Sequence, residues 1–362
     1  MEPVVSSRRP KLWIPRHILV TRSAAEHPHT REVLARAERA GVTDITILRS
    51  DRISGLSGGD ERTAYNRAKA TLAVVVSPPS ARKLQPIAPS ADWRIDLARG
   101  CPAHCQYCYL AGSLSGPPIT RVYADLDEIL AGMDAYVGRG TVTSADAARS
   151  GEGTTFEASC YTDPLGIELV TGSLAAAITY AGTHDFAGPI QLRATTKFGL
   201  VDGLVDLPHN GRTRIRASVN ADGVAGRFEG GADSVPHRLA GLGTLARAGY
   251  PVGLTIAPIM PIDGWREQYT ALLAAAAAAL PADTDLTVEC ITHRFTPGSK
   301  DVLESWYPNT KLEMDPERRS RKFGKFGAVK YVYPATEMKE LRSWFNEAVA
   351  DHLPSARFLY WT

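Results

Sequence analysis

Cys101, Cys105 and Cys108 stand in the string GCPAHCQYCYL at a C-x3-C-x2-C spacing. Three thiolates this close together can serve one metal centre and leave a ligand position open. A structural zinc site normally closes with four protein ligands drawn from two separated Cys or His pairs, and no second pair follows here. An iron–sulfur cube held by three cysteines keeps one iron free, as chemistry on a bound small molecule requires. The competing readings are a zinc knuckle completed by His104 or a distant histidine, and three unconnected core cysteines.

A fourth cysteine, Cys160, lies in FEASCYTDPLG, and a fifth, Cys290, in LTVECIT. A lone cysteine is most often a small buried hydrophobe, and Cys290 is read that way. Further on, KLEMDPERRSRKFGKFGAVKYVY gathers Arg318, Arg319, Arg321, Lys322, Lys325 and Lys330. Gly324 and Gly327 bracket Lys325-Phe326, a hairpin signature over residues 318–333 with an aromatic at the turn. Basic groups bind phosphates without reading sequence, and an inserted ring can unstack a base step. The plainer alternative is a solvated basic hairpin.

Alternating apolar runs define the elements that must position these groups. Strands are expected at residues 93–97, 155–160, 190–195, 213–219, 252–257 and 286–291. Helices are expected at 126–137, 172–181, from about 197, at 236–248 and at 265–280. Six β-then-α units imply a parallel sheet with outer helices, an incomplete barrel. In such folds chemistry sits where strands run out into loops at their C-terminal ends. Cys101 follows the first strand and Cys160 ends the second. Lys197 follows the third, Ser218 and Asn220 end the fourth, Ala257 and Pro258 the fifth, and His293 and Arg294 the sixth. All six ends should face one mouth. The fold class is therefore α/β: a partial (β/α)6 barrel of the TIM type over residues 86–362, with a small N-terminal α/β domain over 1–85 and a C-terminal β-hairpin.

The Cys spacing with Tyr107 before the last cysteine resembles the radical S-adenosylmethionine (SAM) superfamily. The longer strings GCPAHCQYCYL, RVYADLD, SVNAD, GYPVGLTIAPI, HRFT and YPNTKLEMD resemble one family within it, spore photoproduct lyase, from about residue 100 to the C-terminus. The resemblance implies a 4Fe-4S cluster on Cys101, Cys105 and Cys108, and a SAM site lined by Tyr107, Thr162, Lys197, Ser218 and Ala257. Without it, a helix-starting lysine and a strand-end serine would be the simpler readings. The implied reaction is direct reversal of a methylene-bridged thymine dimer by a 5′-deoxyadenosyl radical. Cys160 is implied as hydrogen donor, with Tyr109 and Tyr107 as the relay that regenerates SAM. The hairpin residues Arg319, Arg321, Lys322, Lys325, Phe326 and Lys330 are implied to hold damaged duplex DNA, with His293, Arg294 and Lys300 as further contacts. The family usually has Arg-Tyr where this chain has Lys325-Phe326, which keeps charge and ring but loses the guanidinium fork and the hydroxyl. The alternatives are a related enzyme acting on another lesion, and a non-catalytic zinc-bearing DNA-binding protein.

Composition bounds these readings. The chain has 362 residues, 44% hydrophobic, enough for a large core. Net charge is +2, so DNA contacts must come from a local patch. Five cysteines with three in one triad form no disulfide framework and suit a reducing cytoplasm. The N-terminus reads as no signal peptide. The longest apolar run, residues 271–280, is too short to span a bilayer. An external low-potential electron donor of flavodoxin or ferredoxin type is implied, because no cysteines remain for a second cluster.

Overall fold

The structure is a computed structural model that describes residues 10–54, 56, 60–113, 116–143, 146, 149–323 and 329–362. Its main sheet runs in spatial order Arg357–Trp361, Leu286–Thr292, Val252–Ile259, Thr213–Val219, Ile190–Thr196, Thr154–Glu157, Ala91–Arg94 and Gln85–Ile87. Seven strands run parallel through six pairings, and only Gln85–Ile87 at the edge is antiparallel. Six of the parallel strands are the expected ones, in chain order. The seventh, Arg357–Trp361, closes the far edge beside Leu286–Thr292; as a short aromatic run at the chain end it carries no alternation that marks it as a strand.

The sheet wraps a polar interior. Arg216 bonds both Glu157 and Glu289, the latter at 2.6 Å, while Arg193 bonds Glu289 and Tyr360 donates to it at 3.0 Å. All four charged groups are buried. Burying ions is tolerable only when they are paired and hydrogen-bonded, so this network fills the floor beneath the mouth. Outside it, Val235–Arg247 and Trp265–Ala279 are single helices as expected. The helix expected at 172–181 is Ser173–Thr183, and a further helix that was not expected, Pro164–Thr171, precedes it, the two separated at Gly172 with φ +68°. No helix begins at Lys197: its amide is tied to the Asp163 carboxylate at 2.7 Å, which holds a turn there.

A second, five-stranded sheet runs Ile45–Ile47, His17–Val20, Thr71–Val75, Thr120–Tyr123, Ala98–Arg99. Two of its strands come from beyond residue 85. Ala98–Arg99 leads into the cysteine loop and Thr120–Tyr123 leads out, paired antiparallel to each other. The loop is thus an excursion from a packed sheet whose core includes Ile18, Leu72, Val74 and Val122. At the other end of the chain, Ser320–Phe323 and Val329–Val332 form the expected antiparallel hairpin. Its tip, with Lys325 and Phe326, lies outside the described residues. Among the described residues, no single helix is long and apolar enough to cross a membrane.

Candidate active site

The cysteine loop is fixed at both ends. Gly100 has φ +91°, and a Cβ there would stand 2.3 Å from the Ile119 carbonyl oxygen. Only glycine fits this turn. Its amide donates to the Tyr161 carbonyl at 2.8 Å, joining the loop to the end of the second barrel strand. Further along, His104–Cys105 pairs antiparallel with Glu229–Gly230, and the Gln106 amide donates to Phe228 at 2.9 Å. All five cysteines are free. Burial pushes the Cys101 thiol up to about 12 against the opposing charge of Lys69, and lifts Cys105 further. Each thiol also feels Cys108 as a neighbouring charge. Among the described residues, no three Cys, His, Asp or Glu side chains converge on one point, as a mononuclear ion demands. Cysteine thiolates are the donors an iron–sulfur cluster takes, and the donor set of the triad fits that group. His104, the proposed zinc partner, turns Nδ1 to the Tyr65 hydroxyl at 2.9 Å.

Across from the loop, Lys197 brings three predicted residues together. Its Nζ donates to Ser218 Oγ at 2.8 Å and to the Ala257 carbonyl at 3.3 Å, and lies 5.5 Å from the centre of the Tyr107 ring. Ends of the third, fourth and fifth strands therefore meet at one ammonium. The fourth partner is Glu229, at 3.1 Å, which sequence reasoning missed. Arg238 pairs with the same carboxylate at 2.5 Å, and the Tyr107 hydroxyl donates to it. Burial alone would raise the Glu229 pKa, but Lys197, Arg238 and Tyr107 outweigh it and hold the group at about 2. An acid ahead of two glycines in RFEGG was the only cue, and it is a weak one. Thr162 is buried, and its hydroxyl has no partner. A buried orphan hydroxyl calls for a ligand, as a SAM site would supply.

Cys160 follows the second strand, Thr154–Glu157. The Tyr109 hydroxyl donates to the Cys160 carbonyl, and Tyr109 lies one residue past Cys108. The Cys160 backbone is thereby tied to the residue that follows the triad. Burial, with Glu157 and Asp96 nearby, lifts the pKa of the Cys160 thiol, so it keeps its hydrogen. Tyr107 is likewise raised by burial and by Glu229. Cys290 is fully buried in the sixth strand, as expected of a core residue.

The basic residues divide. Arg321, Lys322 and Lys330 are exposed on the hairpin, with Lys322 directly opposite Lys330. Like charges facing each other across a strand pair are unfavourable alone and are relieved by an anion. Phe323, 69% exposed, adds a ring that sequence reasoning did not single out. Arg319, expected at the DNA, is turned inward. It is buried, bonds Glu313 and the His293 carbonyl, and stacks 3.8 Å from the Tyr333 ring centre. It roots the hairpin rather than presenting a cation, because the acid at Glu313 and the aromatic pocket offer it better partners than water. His293 is buried beneath it, Lys300 faces Glu304 at 3.7 Å, and Arg294 is exposed.

A family model, "Spore photoproduct lyase", matches residues 13–362. A spore photoproduct lyase of Bacillus subtilis is 37% identical over 352 residues, covering 97% of this chain and 99% of its own. One from Geobacillus is 37% identical over 354 residues, covering 97% of this chain and 100% of its own. Among solved structures, a mutant spore photoproduct lyase with bound AdoMet and dinucleoside spore photoproduct superposes with a TM-score of 0.86 at 36% identity, covering 98% of this chain and 100% of that one. The cysteine triad, the cradle around Lys197 and Cys160 all lie within the matched span, and the chain belongs to the spore photoproduct lyase family.

Proposed function

We propose that this chain directly reverses the spore photoproduct, a methylene-bridged thymine dimer, to two thymines in damaged double-stranded DNA. The observation that supports the reading is the Tyr109 hydroxyl on the Cys160 carbonyl, which ties the segment bearing Cys160 to the residue that follows the cysteine triad. SAM and a 4Fe-4S cluster, held by Cys101, Cys105 and Cys108, supply when bound the 5′-deoxyadenosyl radical that takes hydrogen from ring carbon six of the lesion.

The chain's residues do the rest. Lys197 offers its ammonium to the methionine carboxylate of SAM, with Thr162, Ser218 and Ala257 as polar edges and Tyr107 as a wall. Once the bridge between the thymines has broken, Cys160 gives its hydrogen to the thymine methylene radical. The S–H bond breaks, the methyl C–H bond forms, and a thiyl radical is left. Tyr109 restores hydrogen to that sulfur, and Tyr107 restores it to Tyr109 from 5′-deoxyadenosine. The hairpin's Arg321, Lys322 and Lys330 hold phosphates while the tip, with Lys325 and Phe326, opens the duplex towards the mouth. Cys290 is buried and no cysteines remain for a second cluster, so the electron comes from an external low-potential carrier of flavodoxin or ferredoxin type. Free cysteines and this redox chemistry fit a reducing cytoplasm.

The test is anaerobic incubation of the reconstituted protein with SAM, reductant and lesion-bearing DNA, followed by a count of restored thymines. Two thymines per lesion without strand cleavage are expected. Cleavage of SAM with the lesion left intact would overturn the assignment of substrate.

A further inference from the structure

Residues 1–85 carry no chemistry in the sequence, yet one of their helices reaches the cysteine loop. Glu61–Lys69 begins at Asp60, whose carboxylate accepts from the Thr63 amide at 2.9 Å and the Thr63 hydroxyl at 2.8 Å. It ends at Lys69, only 7% exposed. The Lys69 Nζ donates to the carbonyls of Cys101 at 2.7 Å and Ala103 at 2.6 Å. One turn earlier, Tyr65 bonds His104 Nδ1 at 2.9 Å and Tyr307 at 2.5 Å, and packs against Trp306 with ring centres 5.1 Å apart. Lys69, Cys101, Cys108 and Trp306 line one small cavity.

A buried ammonium normally has an anionic partner. Among the described residues, no carboxylate lies within ion-pair distance of Lys69, and its polar partners are two neutral carbonyls. Two of its three donors are thereby used, and its charge is left facing the loop that bears three thiols. The missing counter-charge is the one a thiolate-bound cluster would bring.

We propose that Lys69 is a positioning residue for the redox centre: it clamps the cysteine loop and, as a fixed positive charge, raises the reduction potential of the cluster bound there. This rests on the family reading above. Reduction adds one electron from a low-potential reductant and moves no proton, so the reduced state carries one more negative charge. An adjacent cation in a site of low dielectric favours that state. The helix Glu61–Lys69 is then part of the electron-accepting apparatus.

The experiment is a potentiometric titration of the reconstituted holoenzyme, without SAM, using dithionite as reductant and the electron paramagnetic resonance signal as readout. Wild type is compared with Lys69→Met and Lys69→Arg. Lys69→Met is expected to lower the midpoint by at least about 59 mV, a tenfold loss in a one-electron equilibrium. Lys69→Arg, which keeps the charge, is expected to restore most of it. A Lys69→Met midpoint equal to wild type overturns the proposal. If Lys69→Met loads no iron, the melting temperature of the metal-free variant decides. An unchanged value supports a role at the cluster, and a lowered value assigns the lysine to the fold instead. A wild-type chain that assembles no iron–sulfur cluster would fail the family reading itself, before any variant is compared.

Discussion

Glu229→Gln keeps the shape of the side chain and removes the charge that Lys197, Arg238 and Tyr107 share. The carboxyl has an ordinary pKa of 4.5 and is held at about 2 in the fold. The group is buried, so solvent screening does not discount the difference. It corresponds to about 3 kcal/mol of stability at pH 7. Because the folded value is the lower one, this contribution is fully present above pH 4.5 and is lost as pH falls towards 2. At pH 3 about 1 kcal/mol of it remains. Urea unfolding of the metal-free chain, followed by tryptophan fluorescence at pH 7 and pH 3, measures both points. Wild type should exceed Glu229→Gln by about 3 kcal/mol at pH 7 and by about a third of that at pH 3. Equal stabilities at pH 7, or a gap that does not change with pH, would refute the reasoning.

Cys101→Ala should abolish SAM cleavage and lower bound iron; undiminished cleavage removes the cluster assignment. Lys197→Met should weaken SAM binding by about 10- to 100-fold, the worth of a charge-assisted hydrogen bond, as read by equilibrium binding; an unchanged affinity means the carboxylate is held elsewhere. Arg321→Ala, Lys322→Ala and Lys330→Ala should each reduce the salt dependence of duplex binding by about one phosphate contact. Arg319→Ala should instead lower the melting temperature, and a pure loss of DNA affinity would contradict its inward placement. Lys325→Ala with Phe326→Ala should weaken action on duplex DNA more than on a dinucleotide lesion; equal loss on both argues against a wedge.

Much of the site was readable because its residues sit where a regular pattern stops. Lys197, Ser218 and Ala257 follow or end consecutive strands of alternating apolar residues, and parallel strands bring such ends to one mouth; the three meet at one ammonium. The triad was readable from spacing alone. Glu229 was not, because it lies in a two-residue strand whose partner, His104–Cys105, is more than a hundred residues away. Local pattern carries no trace of such pairing. Lys69 escaped for a similar reason: at a helix C-terminus a lysine satisfies the helix dipole, and nothing nearby in the chain signals the carbonyls of Cys101 and Ala103. Arg319 was misplaced because a run of cations reads as uniformly exposed. The fold singles out one of them, where Glu313 and Tyr333 form a pocket. The seventh parallel strand needed the tertiary partner Leu286–Thr292 to be seen at all.

The most direct measurement asks where the new methyl hydrogen comes from. Repair is run anaerobically in deuterium oxide, where the Cys160 thiol exchanges with solvent, and the repaired thymines are weighed by mass spectrometry. Wild type should place deuterium in one methyl group per lesion. Cys160→Ala should cleave SAM yet give misquenched thymine products in place of that labelled pair. Normal, equally labelled repair by Cys160→Ala would contradict the account, because another group would then be finishing the reaction.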